Sequence, residues 1–293
     1  MENKVTSLQE AISHISDGDM VALGGSLIRR HPMAAVYEII RQRKKNLTIV
    51  AWSSGNDVDI LAAAGCIKEV QTSYVGLQNF GLARNFRRSV ESGQVKVLEQ
   101  SESIAKEKFR AGGSGLTFAI TKTPLGTDLM RNPAYRHSVE CPFTGERYVA
   151  IEAYKPDVAI IHGHYADPEG NIHVPKRRMM DNEIDILIAK SAKRVIVTVE
   201  KIVGRRFILE RPHETFLPGI FVDHVVEVPY GCHPNSCDAR YDYDEEHLKM
   251  YQEMAKSPET FQKYLDEYVY GVKDHYEYLE KIGIRRLMAI TRE

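Results

Sequence analysis

Gly24 and Gly25 stand between an apolar run, Met20 to Leu23, and Pro32, which opens a helical pattern. Two glycines at a strand-to-helix turn let the backbone bend sharply and approach a ligand with no Cβ in the way, so their N–H groups can face an oxygen bearing negative charge. Such a turn is either an oxyanion pocket or simply a tight connection. Ser26 follows it, and Arg29 and Arg30 come close behind, cations suited to a carboxylate or a phosphate. A second cluster, Trp52-Ser53-Ser54-Gly55-Asn56, offers small hydroxyls. A third runs from His162 to Asn171 and contains Asp167-Pro-Glu-Gly170, a good turn sequence. The fourth, Tyr230 to Cys237, places Cys232, His233 and Cys237 close together, with His162, His164 and His173 elsewhere in the chain. A structural zinc site normally pairs C-x2–4-C with a second pair of ligands further on. No second pair follows here, so the spacing predicts no metal.

Other chemistries are excluded by what the motifs lack. The first turn has no G-x-G-x-x-G, and Gly112-Gly113-Ser114-Gly115 follows a helical pattern where a dinucleotide fingerprint must follow a strand. Neither a P-loop nor a G-x-S-x-G elbow occurs. With 39 basic and 40 acidic residues the net charge is −1, which leaves no electrostatic footprint for nucleic acid or an anionic membrane. No apolar run approaches the roughly 18 residues needed to cross a bilayer, and four scattered cysteines in 293 residues do not make a disulfide framework. A cytoplasmic protein with reduced thiols is expected.

The elements that must position these residues follow from periodicity. Short β-branched runs at Met20 to Leu23, Leu47 to Ala51, Val70 to Tyr74 and Val95 to Glu99 alternate with helical stretches at Pro32 to Arg43, Val58 to Ala64 and Leu82 to Glu91. Helices are also expected at Ser7 to Ile15 and Ser103 to Ala111, and an extended run at Thr117 to Ile120. The segment from Thr123 to Glu152, broken by Pro124, Gly126, Pro133, Pro142 and Gly145, reads as a long irregular excursion. Strands return at Val158 to His162 and Arg194 to Val199 around a helix at Asp181 to Ser191, and a last strand is expected within Phe221 to Val228. From Glu245 onward the pattern is helical, with Ser257-Pro258-Glu259 a capped start. The chain is therefore read as one α/β domain, residues 1–293, with a mostly parallel sheet sandwiched by helices and a helical C-terminal appendage at 245–293. In such sheets ligands bind beyond the carboxyl ends of the strands, where the four clusters lie.

The order of several short motifs resembles one family over about Ser7 to Cys237. They include Leu23-Gly24-Gly25, Arg30-His-Pro-Met-Ala34, Asn46-Leu-Thr-Ile-Val50, Tyr74-Val-Gly76, Leu125-Gly-Thr-Asp128, Ala166-Asp-Pro-Glu-Gly-Asn171, Val199-Glu-Lys-Ile-Val203 and Leu217-Pro-Gly219. Together they are similar to the A (alpha) subunit of family I coenzyme A transferases, and most similar to the glutaconate CoA-transferase branch. The resemblance implies a CoA-transferase-like fold and exchange of CoA between an acyl-CoA and a carboxylate. It also implies a hetero-oligomer whose B subunit carries the nucleophilic glutamate. CoA esters are then substrates, and no permanently bound cofactor is expected. Carried over by position, Gly24 and Gly25 match the oxyanion turn, although an aromatic residue often follows where Ser26 stands. Ser53 and Ser54 match a substrate-side loop, and Lys122 falls where several relatives have arginine. Glu102 falls where ring-opening or hydrolysing relatives carry an acidic residue, and is either an acid–base group or a solvated glutamate at a helix start. Glu91-Ser92-Gly93 imitates a catalytic E-x-G but reads as a helix end. The alternative functions on this scaffold are an acyl-CoA hydrolase, a ring-opening enzyme or a decarboxylase, and further off a non-catalytic sensor of CoA esters or sugar phosphates.

Overall fold

Alternation along the central strands gives each of them two buried faces. In β1 (Met20–Leu23), Val21 and Leu23 join one apolar cluster and Ala22 another. The same division separates Ile49 from Val50 in β2 (Leu47–Ala51). The computed structural model describes residues 3–174 and 180–292, and in it these strands form the middle of a three-layered α/β domain. The remaining strands are β3 (Ile67–Thr72), β4 (Lys96–Glu99), β5 (Phe118–Thr121), β6 (Ser138–Glu140), β7 (Arg147–Glu152) and β8 (Val158–Ala166). After them come β9 (Ile172–His173), β10 (Arg194–Ile202), β11 (Thr215–Leu217) and β12 (His224–Glu227).

The main sheet runs β12-β10-β8-β1-β2-β3-β4, every neighbour parallel. Two short antiparallel additions, β9 on β8 and β11 on β9, make it a nine-stranded mixed sheet. One face is covered by α1 (Leu8–Ser13), α2 (Met33–Arg41), α3 (Asn56–Ala63) and the C-terminal helices, and α4 (Arg84–Glu91) packs on α3. The other is covered by α5 (Glu102–Gly113) and α6 (Met180–Ser191), through Ala105, Phe109, Ile184 and Ile188. A short α7 (Arg205–Leu209) follows β10.

The expected βαβ rhythm holds across the first half, with β1 and β2 as anticipated and the other ends moved by a few residues. One reading is corrected. The segment after Thr123 is not irregular: β5, β7 and β6 form a separate antiparallel sheet whose inner residues Ala119, Val149 and Ile151 pack with Ile104 and Ala111 of α5. Pro124, Gly126 and Pro133 fall in the connection from β5 to β6, where Pro133 opens a 3-10 turn, and Pro142 and Gly145 fall in the short turn between β6 and β7. Helix α2 is buried on every side, Glu38 included, because the C-terminal helices pack over the side turned away from the sheet.

The C-terminal stretch is helical as expected, with α8 (Glu245–Met254), α9 (Pro258–Leu265), α10 (His275–Ile282) and α11 (Ile284–Ile290), and these helices pack onto the main core of the domain. Leu248, Tyr251, Phe261, Tyr264 and Tyr278 belong to the same apolar cluster as Val21, Ile39 and Ile49. Their tyrosines are therefore largely spent inside the domain, with Tyr251 hydrogen-bonded to Asp59 and Tyr264 to His247. Tyr243 and Tyr270 remain exposed.

Candidate active site

The carboxyl ends of β1, β2 and β8 bring the glycine turn, the serine loop and the histidine strand together, and the turn is locked from both sides. Within the Gly24–Gly25 peptide unit, the Gly24 carbonyl accepts from His31 Nδ1 at 2.9 Å and the Gly25 N–H donates to Asp185 Oδ1 at 2.9 Å. The N–H of Gly24 belongs to the sheet, donating to the Ile160 carbonyl at 2.9 Å. Both donors that the sequence offers to an oxyanion are thus engaged within the chain. Glycine is nevertheless required: Gly25 has φ +86°, and a Cβ there would lie 2.6 Å from the His31 nitrogen. At Gly24 a Cβ would lie 2.7 Å from Asp185 Oδ1, so the carboxylate sits where a side chain would be.

Arg30 and Asp185 form the pair behind this turn. The Arg30 guanidinium is fully buried, donates to Asp185 Oδ2 at 2.6 Å and to the His162 carbonyl at 2.9 Å. The expectation of a substrate-binding Arg30 is corrected to a buried structural cation, since its head group faces β8 and α6. Arg29, half-buried, makes a two-pronged contact with Asp238 at 2.6 and 3.2 Å. On the other side Asp57 meets His31 Nδ1 at 3.2 Å and accepts from the Gly55 N–H at 2.7 Å.

The hydroxyls behave differently. Ser26 and Ser53 share a buried hydrogen bond of 2.7 Å, joining the loops after β1 and β2. Ser54 Oγ and both polar atoms of the Asn56 amide are buried without a hydrogen-bond partner among the described residues. Buried polar groups are almost always paired with protein, water or ligand, so these atoms mark the part of the site with capacity to bind.

On β8 and β10 a further network faces the loop from Tyr230 to Cys237. His162 contacts Thr198 Oγ1 and Glu200 Oε1, each at 2.9 Å. Burial opposes charge on the imidazole, but hydrogen bonds with Cys237 and Glu200 outweigh it and push the ring up to about 9. Burial likewise pushes Glu200 upward, yet the His162 contact and the Tyr230 N–H hold it below the usual carboxylate range. Tyr241 donates to the same carboxylate at 2.8 Å.

A coenzyme A transferase family model matches residues 5–228, more than half of the chain. The chain belongs to the coenzyme A transferase family. The A subunit of glutaconate CoA-transferase from Acidaminococcus fermentans is 35% identical over 98% of this chain and 94% of its own length. The crystal structure of glutaconate coenzyme A-transferase from that organism superposes with a TM-score of 0.94 at 33% identity, covering 99% of this chain and 96% of that one. The decarboxylase AibA/AibB matches with a TM-score of 0.80 at 32% identity, over 90% of this chain and 99% of that one. An uncharacterized protein of Archaeoglobus fulgidus is 40% identical over the whole chain, which spans 65% of that relative's length.

Two residues that the coenzyme A transferase resemblance singled out lie away from the glycine turn's contacts. Glu102 is an exposed residue in the first turn of α5, where Ser101 caps the helix by accepting from the Ile104 N–H. It has the position of a solvated helix-start glutamate, and among the described residues it makes no side-chain hydrogen bond or ion pair. Lys122 follows β5 and pairs with Glu146 at 2.7 Å, half exposed, over the Tyr148 ring. Glu91 ends α4 in an exposed pair with Arg87, as a helix-end residue should. The residues missed were Asp185 and Glu200. Asp185 sits between Ile184 and Ile186, and Glu200 ends the run Val197-Thr198-Val199, and an acid bordering apolar residues was the available signal.

Proposed function

We propose that this chain is the A subunit of a heteromeric acyl-CoA:carboxylate CoA-transferase of the glutaconate CoA-transferase type. In this reading it supplies the substrate side of a site whose nucleophilic glutamate comes from a B subunit. The carboxylates around the glycine turn and the Tyr230–Cys237 loop carry the inference, together with the near full-length likeness to the glutaconate CoA-transferase chain. Asp185 is held by Arg30, Asp57 by His31, and Glu200 by His162 and Tyr241. None is a free carboxylate that could attack a thioester, which supports a nucleophile brought by another chain.

The chemistry then proceeds by carboxylate exchange. The partner's glutamate attacks the acyl-CoA carbonyl, forming an acyl–glutamyl anhydride and releasing CoA thiolate. The thiolate attacks the glutamyl carbonyl of the anhydride, forming a glutamyl-CoA thioester and releasing the first acid. A second carboxylate reverses both steps. Covalent catalysis of this kind keeps each intermediate near the energy of the starting thioester. Ser26, Ser53, Ser54 and Asn56 are the polar groups this chain offers to the acyl group. Gly24 and Gly25 allow Asp185 and the His31 backbone to close on the turn, and Gly25 turns its N–H to an oxyanion only if Asp185 moves aside.

The test mixes separately purified chain and candidate B subunit with an acyl-CoA and a carboxylate acceptor, traps the intermediate with hydroxylamine or borohydride, and maps the modified residue by mass spectrometry. Label on a glutamate of the partner, with activity only in the mixture, is expected. Activity from this chain alone, or label on Glu91 or Glu102, would overturn the assignment.

A further inference from the structure

Two buried clusters in this chain gather three potential metal-ligating groups each, and they differ in what already satisfies them. His233, Asp244 and His247 form the first. Its carboxylate already holds a cation, because Arg286 donates to Asp244 Oδ1 at 2.6 Å and also contacts Oδ2. His233 contacts Tyr278 and Asp244, and His247 contacts Tyr264. A metal ion there would have to displace a guanidinium and break a complete set of hydrogen bonds.

The second cluster, His162, Cys232 and Cys237, is fully buried, and one ligand atom from each lies within 4.8 Å of the others. Its two thiols have only weak partners. Cys237 is in contact with Cys232 and the His162 ring, and Cys232 with Cys237 and the Tyr241 hydroxyl. Thiols are weak donors and weak acceptors, so only weak hydrogen bonds are lost by replacing their protons, although burial pushes both thiols up and the ion has to offset that. The spacing Cys232-His-Pro-Asn-Ser-Cys237 is C-x4-C, within the range of structural zinc sites. What the sequence lacked was a second pair downstream. The fold brings the third ligand from upstream instead, from the middle of β8. Beside it Glu200 hydrogen-bonds His162 Nε2 at 2.9 Å, the carboxylate–imidazole contact that commonly orients a ligating histidine.

We propose that His162, Cys232 and Cys237 form a binding site for one zinc ion, held by two thiolates and a neutral imidazole. Two soft sulfurs and one ring nitrogen suit zinc over magnesium or calcium, which prefer oxygen. The ligands give up their protons on binding. Whichever ring nitrogen takes the metal, the other keeps its present partner, Thr198 or Glu200. The ion would tie the Tyr230–Cys237 loop to the central sheet. That loop supports the glycine turn directly, since the Arg30 N–H donates to the Ser236 carbonyl and the Ser236 N–H to the Ile28 carbonyl. The site is independent of the proposed transferase chemistry and needs no second chain.

The experiment titrates the reduced, metal-stripped full chain with cobalt(II) and then zinc. About one equivalent of cobalt per chain is expected, with near-ultraviolet thiolate-to-metal absorption and visible d–d bands that zinc removes. Cys237→Ser and His162→Ala should lose these bands, Glu200→Gln should weaken zinc binding by roughly ten- to a hundredfold, and Cys66→Ser and Cys141→Ser should bind as the parent does. Because a core variant can fail to fold, the unmodified chain supplies a second readout: its Tm should rise with zinc and fall back with a chelator. No thiolate band and no zinc-dependent change in Tm of the unmodified chain would overturn the proposal, as would bands retained in folded Cys237→Ser.

Discussion

Arg30 and Lys122 are both cations that the sequence offers to a carboxylate, and the molecule uses them in opposite ways. Arg30 is sealed between β1, β8 and α6 with Asp185 at 2.6 Å, while Lys122 stands half exposed on the small antiparallel sheet with Glu146 at 2.7 Å. The distances are nearly equal, but the surroundings are not. In the buried pair both charges have lost their water, so each depends on the other, whereas in the exposed pair solvent can replace either partner. A third cation completes the series. Lys108 of α5 is buried with no carboxylate in contact among the described residues, its Nζ 4.3 Å from the centre of the Tyr154 ring and 3.4 Å from Gln71 Oε1. A short distance alone therefore says little about what a charge does.

The buried pair should give the largest effect. Asp185→Ala leaves the Arg30 guanidinium uncompensated and the Gly25 N–H without its acceptor, and should cost roughly 3–5 kcal/mol in urea denaturation. A loss as small as that of an ordinary surface substitution would mean that the turn and the arginine are held by something else. Arg30→Met with Asp185→Leu removes both charges together and should recover much of the loss, separating the cost of an orphaned charge from the worth of the pair.

Lys108 comes next and carries a pH signature. Burial pulls its amine down to about 8, an effect that the Coulombic influence of Glu152 and Glu69 only partly offsets. The folded state thus binds fewer protons than the unfolded state between pH 8 and 10.5, so this group's contribution to stability rises with pH across that window. Lys108→Met should be the more stable protein at pH 7 by roughly 1–3 kcal/mol, and its advantage should shrink as the pH is raised from about 8 towards 10. Chemical denaturation at a series of pH values checks this. An advantage that stays constant would place the penalty in packing instead of ionisation.

Gly25→Ala follows, at roughly 2 kcal/mol, because the left-handed φ and the 2.6 Å approach to the His31 nitrogen both oppose a Cβ. Valine at this position should be worse. An alanine variant as stable as the parent would show that the turn relaxes freely, and would revive the idea that its N–H can leave Asp185 for a ligand.

These cases also show what was legible in the sequence. The central strands were, because apolar runs such as Leu47 to Ala51 are bounded by turn residues and long enough for a pattern. β9, at two residues, and β6 and β11, at three, are too short to carry a period, and their pairing depends on neighbours far along the chain. The glycine turn was legible as a turn. Its contacts were not: Asp185 lies 160 residues from Gly25 and 155 from Arg30, and no local spacing announces such a meeting. The same is true of His162 and the two cysteines, whose meeting joins the middle of β8 to a loop 70 residues further on and has no local spacing to announce it. Lys122 and Glu102 were reached by resemblance alone, and there position in a motif order was a poor guide to surroundings.

The smallest effect on stability is expected at Lys122, and it is the one that bears most on substrate. Glu146 holds the Lys122 amine above its ordinary range through a hydrogen bond at 2.7 Å, but both side chains are half exposed. Lys122→Ala should therefore leave the denaturation midpoint close to that of the parent. If Lys122 receives a substrate carboxylate in the assembled enzyme, Glu146 is its competitor, and removing that competitor should help. Glu146→Gln should then lower KM for dicarboxylates and Lys122→Ala should raise it severalfold, with monocarboxylates little affected in either case. Equal effects on both substrate classes, or none, would leave the pair as a surface tie between β5 and β7. The lysine would then belong to the same class as Arg87 with Glu91, a charge whose partner is chosen by proximity in the folded chain and not by chemistry.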